Sequence, residues 1–255
     1  MDFRVEVAPP QSPIERIWFA RGPGGPRETI LPDGRYELIF NFGDPVLQDG
    51  VPQPRAMLAA QTRRAVSIEP AGRADFVGVT LRDGRAAGAI GVPLREVRDR
   101  MLDLGDLGLD LYDRVGAAGD DRERVAVLVE AFRSFDADPL AETAASMIRR
   151  AAGRLSISRL AAVMGISIRT LARSFDRSIG ITPKTLARVQ RLNRAAALLQ
   201  SGRPAAEAAL EAGFFDQPHL VNEFRSMAGL SPSRWIEAPP GLGVQFLQES
   251  PAPGR

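Results

Sequence analysis

Residues 161–183, AAVMGISIRTLARSFDRSIGITP, and residues 209–232, ALEAGFFDQPHLVNEFRSMAGLSP, are one pattern written twice. Ala161, Gly165, Ser167, Leu171, Phe175, Gly180 and Thr182-Pro183 recur as Ala209, Gly213, Asp216, Leu220, Phe224, Gly229 and Ser231-Pro232. The spacing differs only by one extra residue between Gly213 and Asp216. Internal repetition fixes an architecture before most other signals do. Each copy supplies what a helix-turn-helix requires. A small residue lets two helices cross, and a glycine takes the positive φ of the turn. Ser167 or Asp216 caps the second helix. A Leu and a Phe one turn apart anchor its inner face. In such a unit the first helix braces the second, which enters the major groove of DNA.

Working outward, the chain reads as helical almost throughout from residue 139 to Pro232, with spans near 139–152, 157–164, 168–178, 183–201, 205–212, 217–227 and 232–237. Gly153, Gly165, Gly180, Gly202, Gly213 and Gly229 fall where C-terminal caps are expected. Thr182-Pro183 and Ser231-Pro232 each pair an N-cap with a proline at the first helical position. Asp138-Pro139 repeats that signal, so Asp136–Pro139 marks a boundary and the natural hinge. The expected domains are 1–137, 138–237 and a loosely ordered Pro/Gly-rich tail at 238–255.

The N-terminal half has a different grammar. Runs rich in Val, Ile, Phe and Tyr at Arg16–Ala20, Tyr36–Phe42, Val66–Glu69 and Phe76–Leu81 are bounded by Gly/Pro clusters and predict strands. They predict a small β-sheet domain, barrel- or sandwich-like, with flanking helices. From Pro93 the period changes. Leu94, Val97, Met101 and Leu102 fit a short helix, and Val125, Leu128, Val129 and Phe132 stripe a longer one. That stripe is expected to cover the sheet, with a dimerisation face as its alternative. The fold class is therefore α+β.

Composition narrows the function. A 44% hydrophobic and 25% charged share is that of a soluble globular chain. No apolar run approaches the roughly 18 residues of a membrane span, and MDFRVEVAPP lacks the features of a secretory signal. With no cysteine there are no disulfides and no thiol chemistry. A cytoplasmic protein is expected. The net charge of +2 hides a division: residues 140–255 carry 15 basic against 8 acidic residues, and residues 1–139 carry 18 against 23. A basic domain beside an acidic one suits a phosphate-rich partner. A solvated arginine-rich face is the plainer explanation of the same count.

The C-terminal region resembles the DNA-binding domain of the AraC/XylS family of bacterial transcription regulators. The likeness rests on SISRLAAVMGISIRTLARSFDRSIGITP at 156–183, RLNRAAALL at 191–199 and AAEAALEAGFFDQPHLVNEFRSMAGLSPSRW at 205–235. It extends end to end over 139–236. PDGRYELIFNFG at 32–43 resembles the family's variable sensor or dimerisation domains only loosely. The resemblance implies two helix-turn-helix units joined by the long helix 183–201. Their recognition helices would read successive major grooves about 34 Å apart. It implies double-stranded DNA and RNA polymerase as partners, a homodimer and a small-molecule effector as options, and no cofactor, metal or membrane.

Carried over residue by residue, the first recognition helix offers Arg169 and Arg173, which suit guanine O6/N7. Ala172 stands where many relatives carry a polar reader. The second helix offers Gln217, His219 and Asn222, and asparagine suits adenine. Pro218 and Glu223 make it the less basic of the two. Arg177, Lys184 and Arg191 are expected to meet phosphates or solvent, which positions without specifying.

Other functions are harder to build. The only histidine, His219, lies on a proposed recognition helix, so residues 1–139 can hold neither a Ser-His-Asp triad nor a histidine metal site. Glu28, Asp33, Glu37 and Asp44 surround one strand without a catalytic spacing. The stretch DGRAAGAIG at 83–91 has glycines but no phosphate-binding pattern, and predicts a turn into a helix. The remaining alternatives are a helical module that holds a partner protein, and a regulator whose N-terminal domain is purely structural. Trp18, Tyr36, Phe40 and Phe42 fit either a plain core or the lining of an effector pocket.

Overall fold

The structure, a computed structural model, describes residues 2–9, 12–70, 72–132 and 136–237. The tail expected to be loosely ordered lies outside the described residues. Among them, no helix is long and apolar enough to cross a membrane.

The N-terminal half is built on two antiparallel sheets. The larger has six strands in the order β1-β2-β9-β4-β7-β10: β1 Asp2–Val7, β2 Ile14–Pro23, β9 Arg73–Leu81, β4 Glu37–Asn41, β7 Ala56–Ala59 and β10 Met101–Asp103. The smaller has the order β3-β8-β5-β6: β3 Glu28–Ile30, β8 Val66–Pro70, β5 Val46–Gln48 and β6 Val51–Pro52. All four expected strands are present, with six more among the described residues; one of these, β10, pairs Met101 and Leu102 with β7, where the periodicity predicts a continuation of the short helix from Leu94. Strand alternation divides the large sheet into two faces. Ile17, Phe19, Leu38, Phe40, Val77, Val79 and Leu81 point to one side, into a core shared with short helices. These are α1 Ala86–Ile90, α2 Leu94–Val97, α3 Tyr112–Gly116 and α4 Asp121–Ala131. The stripe on α4 covers the sheet: Leu128 is buried and Val125 and Val129 pack against the same core. Trp18, Ala20 and Phe76 point to the other side, where they meet Val46, Ile30 and Ile68 of the smaller sheet.

The C-terminal half is helical, as its caps and periodicity require. It comprises α5 Pro139–Arg150, α6 Ile157–Val163, α7 Ile168–Ser178, α8 Pro183–Gln200, α9 Ala205–Ala212, α10 Gln217–Ala228 and α11 Pro232–Glu237. Asp138, Ser156, Ser167, Thr182 and Asp216 each accept a hydrogen bond from a backbone N–H of the first turn they cap. Two cores result, and α8 belongs to both. Leu186 and Ala187 join Leu160, Ala161, Leu171 and Phe175. Val189, Leu192, Ala195 and Leu199 join Ala209, Leu220, Phe224 and Trp235. The long helix is thus the shared spine of the two repeats.

The halves are fastened together by polar contacts that the sequence does not announce. Arg149 of α5 donates to both carboxylate oxygens of Asp83, at 2.6 and 3.0 Å. It also donates to the carbonyls of Asp33 and Gly34, at 3.0 and 2.7 Å. Gln190 donates to the Asp33 carbonyl and Asn193 to that of Pro32. Leu31 is buried within the second helical core. The expected hinge is a clasp at Asp138: its N–H donates to the Gly84 carbonyl at 2.8 Å, and its carboxylate binds α7.

Candidate nucleic-acid interface

In the first unit, α7 is fixed from behind. Leu171 and Phe175 are fully buried. Ser174 and Ser178 donate to Asp138 Oδ2 at 2.9 and 2.7 Å. With those four positions turned inward, Arg169, Ala172, Arg173, Asp176 and Arg177 are exposed on the opposite side. Arg169 and Arg173, one turn apart, make no hydrogen bond or ion pair among the described residues. Arg177 is different, because it donates to Asp138 Oδ2 at 2.6 Å. Lys184, in the first turn of α8, is exposed.

In the second unit Asp216 caps the N–H of His219 at 2.8 Å. Gln217, Pro218, His219 and Asn222 are exposed on α10. His219 is turned back on its own turn: its Nδ1 accepts from the Phe215 N–H at 3.4 Å, and its ring meets Phe214 edge-on at 5.3 Å. Glu223 does not stand free on the surface. Arg188 of α8 binds both its oxygens, at 3.2 and 2.8 Å. Arg191 is held internally, with Nη1 on the Gly153 carbonyl at 3.0 Å and its guanidinium over the Phe214 ring. Burial there lowers its pKa from the ordinary value. It thus braces the two units against each other.

Two surface features escape the repeat pattern. The residue inserted between the copies' turn and cap positions is Phe215, which is 85% exposed beside the N-terminus of α10. Arg225, one turn beyond Asn222, is exposed without a partner among the described residues. The odd residue in the spacing was the only signal for the first. The second follows from helical periodicity once Leu220 and Phe224 define the inner face.

A second site lies in the N-terminal half, where a cavity of about 250 Å³ opens between the two sheets. Of the four aromatics considered above, only Trp18 lines it. Tyr36 and Phe40 belong to the helix-side core, and Phe42 stacks on Tyr112 at 5.0 Å beneath Arg124. Trp18 lies opposite Gly78 in the β2–β9 register. A Cβ built on Gly78 would overlap the indole, so glycine is what allows the ring to lie there. Glu37 lines the same space and accepts from the Thr80 hydroxyl at 2.7 Å. Burial, and then the charge of Asp33, push the Glu37 carboxyl above its ordinary pKa despite Arg16 and its hydrogen bonds. Asn193 of α8 also lines the cavity, so the space touches both halves of the molecule.

Comparison with known proteins agrees with this geometry. Residues 160–238 match a family model described as a helix-turn-helix domain, and residues 9–103 match one described as a domain of unknown function (DUF6597). No curated protein matches the chain. Among solved structures, it is similar to a transcriptional regulator from Chromobacterium violaceum described among AraC-type DNA-binding domain-containing proteins. That match has 31% identity, covers 39% of this chain and 93% of that one, and has a TM-score of 0.36. It is similar to a probable AraC family transcriptional regulator from Rhodopseudomonas palustris CGA009, with 31% identity over 39% of this chain and 96% of that one, and a TM-score of 0.36. It is also similar to ToxT from Vibrio cholerae, at 11% identity over 93% of this chain and 98% of that one, with a TM-score of 0.48. The 31% identity covers 93% and 96% of those two AraC-type chains, and the helix-turn-helix match lies over the doubled pattern. The chain belongs to the AraC/XylS family of DNA-binding transcription regulators.

Proposed function

We propose that the protein reads an operator with both recognition helices, that α7 contributes more of the base readout than α10, and that a ligand in the N-terminal half modulates the complex. The observation that carries the first part is the pair of unpartnered guanidinium groups on the outward face of α7. Arg169 and Arg173 are free for bidentate pairing with guanine, whereas Arg177 is tied to Asp138. Ala172 between them offers only an apolar contact, which suits a thymine methyl. On α10 the polar groups are Gln217, His219 and Asn222, with Arg225 beyond them. Lys184, exposed in the first turn of α8, meets a phosphate in this reading. Arg191, held against Phe214, acts as a brace for the interface rather than as a contact. The 18-residue α8 spans about 27 Å at 1.5 Å per residue, a spacer on the scale of the roughly 34 Å between successive major grooves.

Modulation has a physical route. The loop 31–34 contributes Leu31 and Asp33 to the cavity wall. The same loop is gripped by Arg149, Gln190 and Asn193 of the DNA-binding half. A ligand that favours one loop position therefore favours one arrangement of α5 and α8, which shifts the population competent for DNA.

The test is selection of bound sequences from random duplex DNA with the full-length protein, followed by anisotropy titrations at several salt concentrations. Two conserved blocks about one helical turn apart are expected. Arg169→Ala and Arg173→Ala should each cost about 1–3 kcal/mol and relax one position of the first block. Salt-insensitive duplex binding that survives both substitutions would overturn the proposal.

A further inference from the structure

We propose that the cavity between the two sheets receives a small organic cation, a protonated amine on a short apolar body, with its charge on Glu37 and its body against Trp18, Ile39, Met57 and Phe76. The proposal deepens the effector part of the function inferred above and rests on it for its regulatory meaning.

Strand alternation puts the carboxyl in place. On β4, Leu38 and Phe40 serve the helix-side core, which turns Glu37 and Ile39 to the cavity. An apolar residue at position 37 would continue the wall at no electrostatic cost. A carboxyl taken out of water costs stability unless something pairs with it. Glu37 makes no ion pair among the described residues. Arg16 donates to the Thr80 hydroxyl at 3.1 Å, and that hydroxyl donates onward to Glu37. The guanidinium thus reaches the carboxyl only through an intervening group. The upward push on its pKa agrees with a carboxyl that lacks a full counter-charge.

Of the other charges at the cavity, Arg35 and Asp99 are held in ion pairs, while Asp33, Asp49 and Arg100 make hydrogen bonds but no ion pair among the described residues. Arg35 is bound to Glu15 and lies near Asp83. Asp49 accepts from the Ser67 N–H, and Asp99 holds Arg63. Arg100 is exposed and donates to the Glu96 carbonyl at 3.4 Å. An entering anion would meet the carboxylates of Glu37, Asp33 and Asp49 with Arg100 alone, among the described residues, as a cation outside an ion pair, whereas an entering ammonium would supply Glu37 with a counter-charge. A further acceptor is available: Asn193 Oδ1 is buried without a hydrogen-bond partner, while its amide is used on Pro32. An ammonium has N–H groups to give and takes none. The aromatic wall suits the same guest, since indole faces attract cations. A volume of about 250 Å³ is just under the range of drug-sized sites, roughly 300–1,000 Å³, which sets the size of the guest.

The experiment compares three probes of one shape and different charge: benzylamine, benzyl alcohol and benzoate. They are titrated into the full-length protein carrying Trp235→Phe, so that Trp18 is the remaining tryptophan, with fluorescence and thermal shift as readouts. Saturable binding of benzylamine at least tenfold tighter than either analogue is expected. Glu37→Gln should remove that preference, and Ala59→Leu, which fills the cavity while leaving Glu37, should abolish binding of all three. Benzoate or benzyl alcohol binding as tightly as the amine would overturn the proposal, as would no binding by any probe. Unchanged amine affinity in Glu37→Gln would also overturn it. Should that variant not fold, the charge series and Ala59→Leu decide alone. Duplex binding is measured on the same preparation. DNA binding without amine binding sinks only the cation site, and amine binding without DNA binding sinks only the operator proposal.

Discussion

The carboxylate of Asp138 caps α5 with Oδ1 and gathers Ser174, Ser178 and Arg177 of α7 with Oδ2. The cap was legible, because Asp before Pro at a helix start has one common meaning. The grip on α7 was not, because a repeat pattern specifies which face of a helix turns inward but not what that face meets. The same limit applies to Arg177 and Arg191, whose spacing put them near the DNA side and whose partners come from other elements. Asp138→Ala should cost about 2–4 kcal/mol, since a lost cap accounts for about 1 kcal/mol. Two buried hydroxyls left without an acceptor account for the remainder. Urea denaturation checks this, and a loss below 1 kcal/mol would mean that the α7 contacts contribute little.

At the scale of elements, caps and turn residues placed every C-terminal helix to within two residues, because each boundary is chemically marked. The sheet was half legible. β2, β4, β8 and β9 are rich in β-branched and aromatic residues. β7 is Ala-Met-Leu-Ala, good helix formers that pair as a strand because both faces are covered. β5 and β6 are too short to show a period. β1 alternates Phe3, Val5 and Val7 with Arg4 and Glu6, a usable signal that the four-strand expectation passes over. Two turn glycines separate backbone strain from packing. Both have positive φ, +65° at Gly165 and +71° at Gly153. A Cβ at Gly165 meets open space, whereas one at Gly153 would strike the backbone of Ala187 on α8. Gly165→Ala should therefore cost about 1–2 kcal/mol, the left-handed penalty alone. Gly153→Ala should cost more, because α5 and α8 must separate to admit it. Equal losses in thermal denaturation would show that α8 yields freely at Ala187.

Across the whole molecule, the two halves meet at a buried ion cluster. Asp83 and Arg149 side chains are only 10% and 14% exposed, and Arg35 stands 3.6 Å from the same carboxylate while bound to Glu15. Burial alone would raise the Asp83 pKa, but the charges of Arg149 and Arg35 and the Arg149 hydrogen bonds reverse this and hold it below its ordinary 3.8. Asp138 is likewise lowered, its hydrogen bonds outweighing burial. A carboxylate with a depressed folded pKa stabilises the protein fully above its ordinary value, and that contribution is lost as pH falls through the folded pKa. The stability contributed by Asp83 and Asp138 should therefore hold from neutrality down to about pH 5 and be lost below about pH 4. Arg149→Leu should lose about 3 kcal/mol at pH 7, toward the lower end for a broken buried pair, because Arg35 remains. It should also flatten the acid dependence, since without Arg149 the folded and unfolded pKa values of Asp83 draw together. Adding Asp83→Asn should restore part of the loss, because neither charge is then left uncompensated. Urea titrations of the three proteins at pH 7 and pH 3 check all of this. If Arg149→Leu falls as steeply with acid as the parent protein does, the pH sensitivity lies elsewhere than in the clasp between the sheet domain and the DNA-binding helices.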